Sequence, residues 1–247
     1  MRRPLPPEDM PIDAAADKIL PPRRRRRIRL FRWLGGWAWW LGLRAALVAL
    51  VLVLVFAVFN PPTTLTIIRN AHDYPIAERN WTPIEDIAPI MARSVVAAED
   101  ANFCLHWGFD MAEIRRVIAS GRNSGASTIS QQVVKNVYLW QGRSWTRKLL
   151  EAVMTPMVEA VWTKRRILEV YLNVAEFGPG IFGIHAASAH HFGTTPDRLT
   201  LVQAARLAAI LPAPKSRGTR NASRRSRAIA DGAATIAADG RDSCFRN

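Results

Sequence analysis

Residues that could perform acid–base chemistry cluster between Glu99 and Asp110, where the sequence reads EDANFCLHWGFD. Glu99 and Asp100 are adjacent carboxylates at the end of an apolar helical stripe, and His106 follows them. A carboxylate at the edge of a water-poor cleft can accept a proton from a reacting hydroxyl, and the end of a helix offers such a position. An exposed helix end with solvated charges explains the pattern equally well, and a single histidine is more often structural than a ligand.

The next candidate segment, residues 125–136, reads GASTISQQVVKN and leads small and hydroxyl residues into a predicted helix over 127–139. Ser127 would lie at the helix start, with Gln132 and Lys135 further along. The free N–H groups and the positive end of a helix favour anions, and a nearby lysine adds a full charge. The GxxxxGK[ST] spacing of a nucleotide-binding loop is absent. An ordinary capped helix fits the pattern equally well.

Two further segments combine charged and apolar residues at helical spacing. In the run RKLLE, Arg147 and Lys148 lie at i, i+4 and i, i+3 spacing from Glu151, so all three share one helical face. A surface ion pair worth less than about 1 kcal/mol is the ordinary explanation for such a run. Residues 164–178 read KRRILEVYLNVAEFG, which predicts a helix followed by a turn.

Helices should position these residues, because apolar side chains recur at helical spacing through most of the chain after the first quarter. Capping boxes predict helix starts at Thr82 and at Thr200. Helical spacing continues from Trp145 to Asn173, where Pro156 should kink or split the helix. The run of threonine and isoleucine within residues 61–74 instead indicates one extended segment.

A long apolar stretch precedes the helical region. The 23 residues from Trp37 to Phe59 contain Arg44 as their only charge. At about 1.5 Å per residue, a helix of this length reaches roughly 34 Å and can cross a bilayer core of about 30 Å. A cleaved signal peptide is the alternative, although its apolar region is usually about 7–15 residues long. The arginine run at 23–27 precedes the stretch, so the positive-inside rule places residues 1–32 in the cytoplasm and exports the rest.

The composition of the chain argues against several classes of function. The formal net charge of +14 comes mainly from the two ends, because residues 61–213 carry 15 basic and 13 acidic side chains. A nucleic-acid-binding protein would more often carry its basic patch on the folded domain, so no nucleic-acid partner is expected. Cys104 and Cys244 are too few for a disulfide scaffold and form no zinc motif. Whether they pair is left open.

These patterns divide the chain into four parts. Residues 1–32 form a basic, proline-rich cytoplasmic arm, and residues 33–60 form a transmembrane anchor. Residues 61–214 form a mostly α exported domain. Residues 215–247 form a basic C-terminal tail of uncertain order.

The ordered motifs EDxxFxxHxGxD, GASTISQQVVKN, RKxxE and KRRILEVYLNVAEFGPGIFGIHAAS resemble the peptidoglycan glycosyltransferases of glycosyltransferase family 51, most closely the monofunctional members. They cover roughly residues 81–214, about half of the chain. The resemblance implies a lysozyme-like, mostly α domain with a small mobile lobe near the membrane, behind a single N-terminal transmembrane helix. It places the protein in the inner (plasma) membrane with its catalytic domain outside the cytoplasm. Cys104 and Leu105 depart from the aromatic residues common in the family, and the chain after Pro214 no longer resembles it.

The resemblance also implies an activity. Family members polymerise lipid II into β-1,4-linked glycan strands in cell-wall biosynthesis, with inversion at the anomeric carbon and release of undecaprenyl diphosphate. The expected partners are therefore lipid II, the growing lipid-linked glycan, the membrane and other cell-wall synthesis proteins. The lytic transglycosylases and muramidases, and a non-catalytic anchored scaffold that binds the precursor, are the alternatives. A cationic diphosphate site argues against a lytic enzyme, and intact catalytic carboxylates argue against a scaffold.

The resemblance also assigns roles to individual residues within each motif. By resemblance, Glu99 is the base that takes the proton from the attacking hydroxyl, Asp100 supports it, and Glu151 is the second catalytic glutamate. Glu151 would act either through a divalent cation, Mg²⁺ or Mn²⁺, or by orienting the nearby cations. The residues expected to bind the substrate and its diphosphate are Ser127, Gln132, Lys135, Arg147 and Lys148.

Overall fold

The computed structural model describes residues 23–121, 125–142 and 144–246 of the chain. It consists of two compact units, one extending to Val51 and one from Leu52 onward. Residues 1–22, the larger part of the expected cytoplasmic arm, lie outside the described residues.

Helix α1 spans Arg23–Val58 and begins before residue 33, where the sequence analysis placed the start of the anchor. Its segment Gly35–Val58 has 24 residues and, by length and composition, is apolar enough to cross a membrane. The guanidinium of Arg44 lies 3.5 Å from the ring centroid of Trp40. This cation–π contact partly compensates the single charge in the apolar stretch. The helix is compatible with a single-pass membrane protein.

The second unit is mostly helical, which confirms the predicted fold class. Its helices are α2 (Leu65–Asn70), α3 (Pro89–Glu99), α4 (Met111–Ala119), α5 (Ile129–Tyr138), α6 (Trp145–Val161), α7 (Lys164–Val174), α8 (Gly183–Phe192), α9 (Leu201–Ile210) and α10 (Arg224–Asp239). Strands β1 (Glu176–Gly178) and β2 (Ile181–Phe182) form an antiparallel hairpin that pairs Glu176 with Phe182 and Gly178 with Ile181.

Two groups of helices form the core. Helix α3 packs against α9 and α10, and helix α5 packs against α6 and α7. Buried side chains on these helices include Met91, Val95, Val133, Val134, Ile167, Leu207 and Ile236. Burying a side chain of this size contributes about 1.5–3 kcal/mol relative to leaving it exposed. The last residue of α3 hydrogen-bonds to α5, so the two groups meet at the end of α3.

The two predicted capping boxes have different outcomes. Thr200 caps helix α9, and the reciprocal hydrogen bonds with Gln203 are both present. Thr82 does not begin a helix, because only a short 3-10 turn, Ile84–Asp86, follows it. Tertiary contacts explain the difference: the backbone N–H of Thr82 donates to Asn173 Oδ1 at 2.8 Å, and Asn173 Nδ2 donates to the Thr82 carbonyl at 2.8 Å. These bonds hold Thr82 against α7 instead.

Two other local expectations differ from the structure. The segment expected to be extended contains helix α2, because Thr64 caps it by accepting a hydrogen bond from the N–H of Ile67. Helix α6 continues through Pro156 without a break. The division between α6 and α7 falls at Trp162 and Thr163 instead, where the Thr163 side chain accepts a hydrogen bond from Arg166 N and begins α7. Pro156 has no backbone N–H to donate, but the loss of this one hydrogen bond does not end a helix that tertiary packing stabilises.

The C-terminal segment, whose order the sequence left open, folds onto the domain. Ser223 caps helix α10 through a capping box, and Ile229, Ala233 and Ile236 are buried. Beyond the helix, Cys244 forms a disulfide with Cys104, 140 residues earlier in the chain. The buried carboxylate of Asp242 accepts a hydrogen bond from Arg93 Nε at 2.8 Å.

The disulfide generates a first prediction. Replacing both Cys104 and Cys244 by serine should lower the free energy of unfolding by about 2–5 kcal/mol, because the crosslink closes a long loop in the unfolded chain. Thermal unfolding of the detergent-solubilised protein should show a lower midpoint for the double variant. A reductant should lower the wild-type midpoint similarly and leave the double variant unchanged. Equal midpoints for wild type and variant would contradict a stabilising crosslink.

Candidate active site

Glu99 is the last residue of α3, and its side chain is only 12% exposed. Its Oε2 accepts a hydrogen bond from Gln132 Nε2 on α5 at 2.9 Å. Its Oε1 is buried without a hydrogen-bond partner among the described residues, and Arg225 Nη2 on α10 lies 3.5 Å from it. Gln132 in turn accepts a hydrogen bond from the buried Tyr171 hydroxyl at 3.3 Å. The chain Tyr171–Gln132–Glu99 therefore fixes one carboxylate oxygen and leaves the other available as a proton acceptor.

Burial raises the pKa of Glu99 above its usual value. The Gln132 hydrogen bond and the charges of Arg225 and Lys135 lower this pKa and offset part of the rise, while Asp100 raises it further. A desolvated carboxylate surrounded by cations has a higher proton affinity than a solvated one and yet keeps a stabilised charge. Such a group is suited to act as a general base near neutral pH.

Asp100 connects two elements of the site. Its Oδ1 hydrogen-bonds His106 Nε2 at 2.8 Å, and its Oδ2 accepts a hydrogen bond from the backbone N–H of Ile129 at 3.0 Å. Ile129 is the first residue of α5, so Asp100 satisfies an N–H group that the helix cannot bond internally. Asp100 thus joins the end of α3 to the start of α5, and His106 has a structural partner.

The RKxxE run forms a buried ion cluster at the start of α6. Arg147 Nη1 donates to Glu151 Oε2 at 2.5 Å, and Lys148 Nζ donates to Glu151 Oε1. Arg147 Nε donates to the Gly142 carbonyl at 2.9 Å, and Lys148 Nζ also donates to Ser127 Oγ at 3.2 Å. Glu151 is 2% exposed. The ordinary explanation, a surface ion pair, is therefore wrong for this run.

Lys135 lies on α5, half-buried between the carboxylates of Glu99 and Glu151. Burial lowers the pKa of the Lys135 ammonium, Glu151 and Glu99 raise it, and the neighbouring cations Arg147 and Lys148 lower it. Among the residues that the structure describes, its ammonium makes no hydrogen bond. Lys135 is thus a cation held in the site without a neutralising contact.

All eight predicted site residues lie around one region of the domain. Glu99, Asp100 and Ser127 line a cavity of about 220 Å³, and Gln132 and Lys135 line a second cavity of about 200 Å³. The Gln132–Glu99 hydrogen bond joins a wall of one cavity to a wall of the other. Arg147, Lys148 and Glu151 connect to these walls through Ser127 and through the electrostatic contact with Lys135.

The residues present do not fit a metal ion bound at Glu151. Both of its carboxylate oxygens accept hydrogen bonds from cationic side chains. No group of three or more His, Cys, Asp and Glu side chains in the described parts of the chain could hold an ion. Of the two roles expected for Glu151, the geometry favours the orientation of Arg147 and Lys148.

Sequence reasoning missed two residues that contact the site. Tyr171 lies in the quoted fourth motif but received no role, although a tyrosine among apolar residues of a motif is a signal for a buried hydrogen bond. Arg225 lies in the basic C-terminal segment, where eight basic residues are present and nothing local distinguishes it. Its contact with Glu99 depends on how α10 packs.

Comparison with known proteins identifies the family of the chain. The family model described as Transglycosylase matches residues 67–235, past the limit at Pro214 that the motifs suggested. A biosynthetic peptidoglycan transglycosylase of Jannaschia sp. (strain CCS1) is 57% identical over 202 residues, which is 80% of this chain and 84% of the relative. One of Pseudomonas entomophila (strain L48) is 49% identical over 179 residues, covering 69% of this chain and 75% of the relative.

The helical fold and the match to this family define a glycosyl-transferring enzyme of lysozyme-like architecture. The chain belongs to the transglycosylase family. The family resemblance and the enzyme class predicted from the motifs are confirmed.

The ion cluster generates a second prediction. Glu151→Gln removes the negative charge between Arg147 and Lys148, and breaking a buried ion pair costs about 3–5 kcal/mol. The thermal unfolding midpoint should fall accordingly.

The matched control for this variant is Glu113→Gln. Glu113 pairs with Arg116, whose side chain is 65% exposed. Exposed pairs contribute about 0–1 kcal/mol, so this midpoint should change little. Equal shifts in the two variants would show that Glu151 does not stabilise the cluster.

Proposed function

We propose that the protein is a membrane-anchored peptidoglycan glycosyltransferase. It polymerises lipid II into β-1,4-linked glycan strands for the cell wall, inverting the anomeric carbon and releasing undecaprenyl diphosphate. The observation that carries the proposal is the placement of one buried, partly unpartnered carboxylate, Glu99, beside the cations Lys135, Arg147 and Lys148. Inversion by direct displacement needs one base on the attacking side and positive charge at the leaving group, and the site offers both.

Glu99 acts as the base. Its Oε1 takes the proton of the attacking 4-hydroxyl while that oxygen forms a bond to the anomeric carbon of the second sugar. The bond from that carbon to the diphosphate oxygen breaks, and its electron pair leaves with the diphosphate. Gln132 holds the other carboxylate oxygen, so the proton acceptor keeps a fixed position relative to α5. A positioned base of this kind contributes about 10²–10⁴-fold to the rate.

Lys135 and Arg147 stabilise the negative charge that develops on the leaving diphosphate. Preorganised cations in a desolvated site stabilise developing charge far better than the same cations in water. Glu151 holds the Arg147 and Lys148 side chains in place, and Ser127 fixes Lys148 from the other side. Lys135 has no such partner among the residues that the structure describes and is therefore available to the diphosphate.

Two cavities at the site provide room for the two substrates of a polymerisation. A polymerising enzyme must bind a donor and an acceptor sugar at the same time, on opposite sides of the reacting bond. The cavities of about 220 and 200 Å³ meet at the Glu99–Gln132 contact and provide two such places. A lytic enzyme that cleaves glycan needs no cation cluster at the reacting centre, which disfavours that alternative.

The apolar segment of α1 supports a single-pass location in the inner membrane. With residues 1–32 in the cytoplasm, the catalytic domain lies outside the cytoplasm, where its lipid-linked substrates would reach it from the membrane. Interaction with other cell-wall synthesis proteins is proposed from the family alone.

The third prediction tests Glu99. Glu99→Gln keeps the size of the side chain but cannot accept a proton, so polymerisation should fall by about 10²–10⁴-fold. Binding of the precursor should change little, because the cation cluster is intact. The measurement is incubation of the purified full-length protein with labelled lipid II, followed by gel separation of the glycan products.

Two further variants serve as controls for the Glu99→Gln measurement. Glu85→Gln changes a glutamate whose side chain is 59% exposed and should polymerise normally. Asp100→Asn should lower the unfolding midpoint, since Asp100 holds the start of α5, whereas Glu99→Gln should not. Normal polymerisation by Glu99→Gln would remove Glu99 as the base. Wild-type protein that binds lipid II without product would instead indicate the scaffold, and glycan cleavage without synthesis the lytic enzyme.

The fourth prediction tests the cations. Lys135→Ala removes a charge-assisted contact with the diphosphate worth about 1.5–3 kcal/mol, which corresponds to roughly 10- to 150-fold in kcat/KM. Folding should be preserved, because the Lys135 ammonium has no hydrogen bond to lose within the described part of the chain. Steady-state kinetics with lipid II measure the effect. An unchanged kcat/KM in a folded variant would place the diphosphate elsewhere.

A further inference from the structure

The C-terminal segment reaches the carboxylate of Glu99 through one side chain. Arg225 lies in the first turn of α10, and its Nη2 is 3.5 Å from Glu99 Oε1. The same Nη2 donates to the Ala98 carbonyl at 3.2 Å. Ala98 and Glu99 are the last two residues of α3, where carbonyl groups lack internal partners and the helix dipole favours a cation. Arg225 therefore contacts both the backbone and the side chain at the end of α3.

A set of contacts holds the segment that carries Arg225. We use the term C-terminal clamp for the Cys104–Cys244 disulfide, the Arg93–Asp242 ion pair and the hydrogen bond from Arg241 to the Ala101 carbonyl. All three join the end of the chain to α3 or to the loop that follows it. Apolar burial of Ile229, Ala233 and Ile236 holds the helix itself. The clamp and the buried face restrict the position of α10 against α3.

We propose that Arg225 is a positioning residue for Glu99, and that the C-terminal clamp holds it there. The inference rests on the proposed function, because it concerns the base of the same reaction. Arg225 lies beside Glu99 Oε1, which accepts no hydrogen bond from any described residue, so this oxygen can still receive a proton. Its charge favours the ionised form of the carboxylate, and its bond to Ala98 fixes the guanidinium relative to the helix end.

Other charged and titratable groups also face Glu99. Lys135 on α5 acts in the same direction as Arg225, and the adjacent Asp100 acts in the opposite direction. Burial holds the pKa of Tyr171 on α7 well above its ordinary value, so its phenol stays neutral across the relevant pH range. Removing Arg225 alone therefore raises the pKa of Glu99, which already lies above its usual value through burial. The acid limb of the pH–rate profile must then move to higher pH.

The experiment compares full-length wild type, Arg225→Gln, Arg225→Lys and Arg227→Gln in steady-state polymerisation of labelled lipid II over a range of pH. Arg225→Gln should lower kcat about tenfold through misplacement of the base, with KM changed less than about twofold. Its acid limb should move up by about half to one pH unit, the effect of one partly solvated charge near 4 Å. Arg225→Lys should restore the wild-type acid limb while recovering only part of kcat.

Arg227→Gln is the matched control. It removes the same charge from the same helix, two positions along, at an exposed residue that is not among the charges acting on Glu99. Its profile should equal that of the wild type. If the acid limb moves equally in Arg225→Gln and Arg227→Gln, the shift reflects the total charge of the helix and not the contact with Glu99. That result would overturn the proposal.

Other outcomes would also overturn it. A folded Arg225→Gln variant with an unshifted acid limb removes Arg225 as a positioning residue. A raised KM with unchanged kcat shows that Arg225 binds substrate directly. If the Arg225→Gln variant does not fold, the Arg225→Lys variant tests the proposal. An unchanged kcat in Arg225→Lys would contradict positioning by the guanidinium.

The clamp is tested with the Cys104→Ser/Cys244→Ser double variant in the same assay. Its acid limb should move in the same direction as that of Arg225→Gln, by a smaller amount. A wild-type profile would remove the disulfide from the proposal. Failure of the proposed function is a separate result, because wild-type protein would then produce no glycan at any pH. If the wild-type protein polymerises lipid II and Arg225→Gln has the same kcat and pH profile, only the inference about Arg225 is contradicted.

Discussion

The carboxylate of Asp100 connects the end of α3 to the start of α5, and the geometry of the site depends on this connection. Because Asp100 bonds both His106 and the N–H of Ile129, the two helices meet at a fixed point. Glu99 is the residue before Asp100, and Gln132 lies one turn into α5, so the two side chains meet directly. The same fixed start of α5 determines where Lys135 lies. A supporting carboxylate thus positions the groups that would react.

Charge is concentrated in a small, poorly hydrated region. The carboxylates of Glu99 and Glu151 are almost fully buried, with Lys135, Arg147 and Lys148 close by. Buried ion clusters of this kind contribute little net stability, because the desolvation of each charge opposes their attraction. In this domain Glu151 holds the side chains of Arg147 and Lys148 in fixed positions. The apolar helix groups on either side supply the stability that the cluster does not.

The end of the chain is part of the catalytic domain. Helix α10 completes the packing around α3, and the disulfide and the Arg93–Asp242 pair connect its far side to the loop after Glu99. The match of the family model to residue 235 is consistent with this packing. This segment is rich in arginine and alanine, and its large apolar side chains, Ile229, Ile236 and Phe245, are buried.

The sequence by itself determined the helical class, the apolar N-terminal helix and the helix start at Thr200, and it predicted eight site residues that the fold places in one region. These features depend on periodicity, on capping between neighbours and on motifs, all of which act over short stretches of chain. Only the tertiary structure decided that Thr82 pairs with Asn173 instead of beginning a helix, and that α6 continues through Pro156. It alone paired Cys104 with Cys244 and brought Arg225 to Glu99. The physical reason is separation along the chain: contacts between residues 91 to 140 positions apart depend on how whole helices pack, which no local pattern encodes.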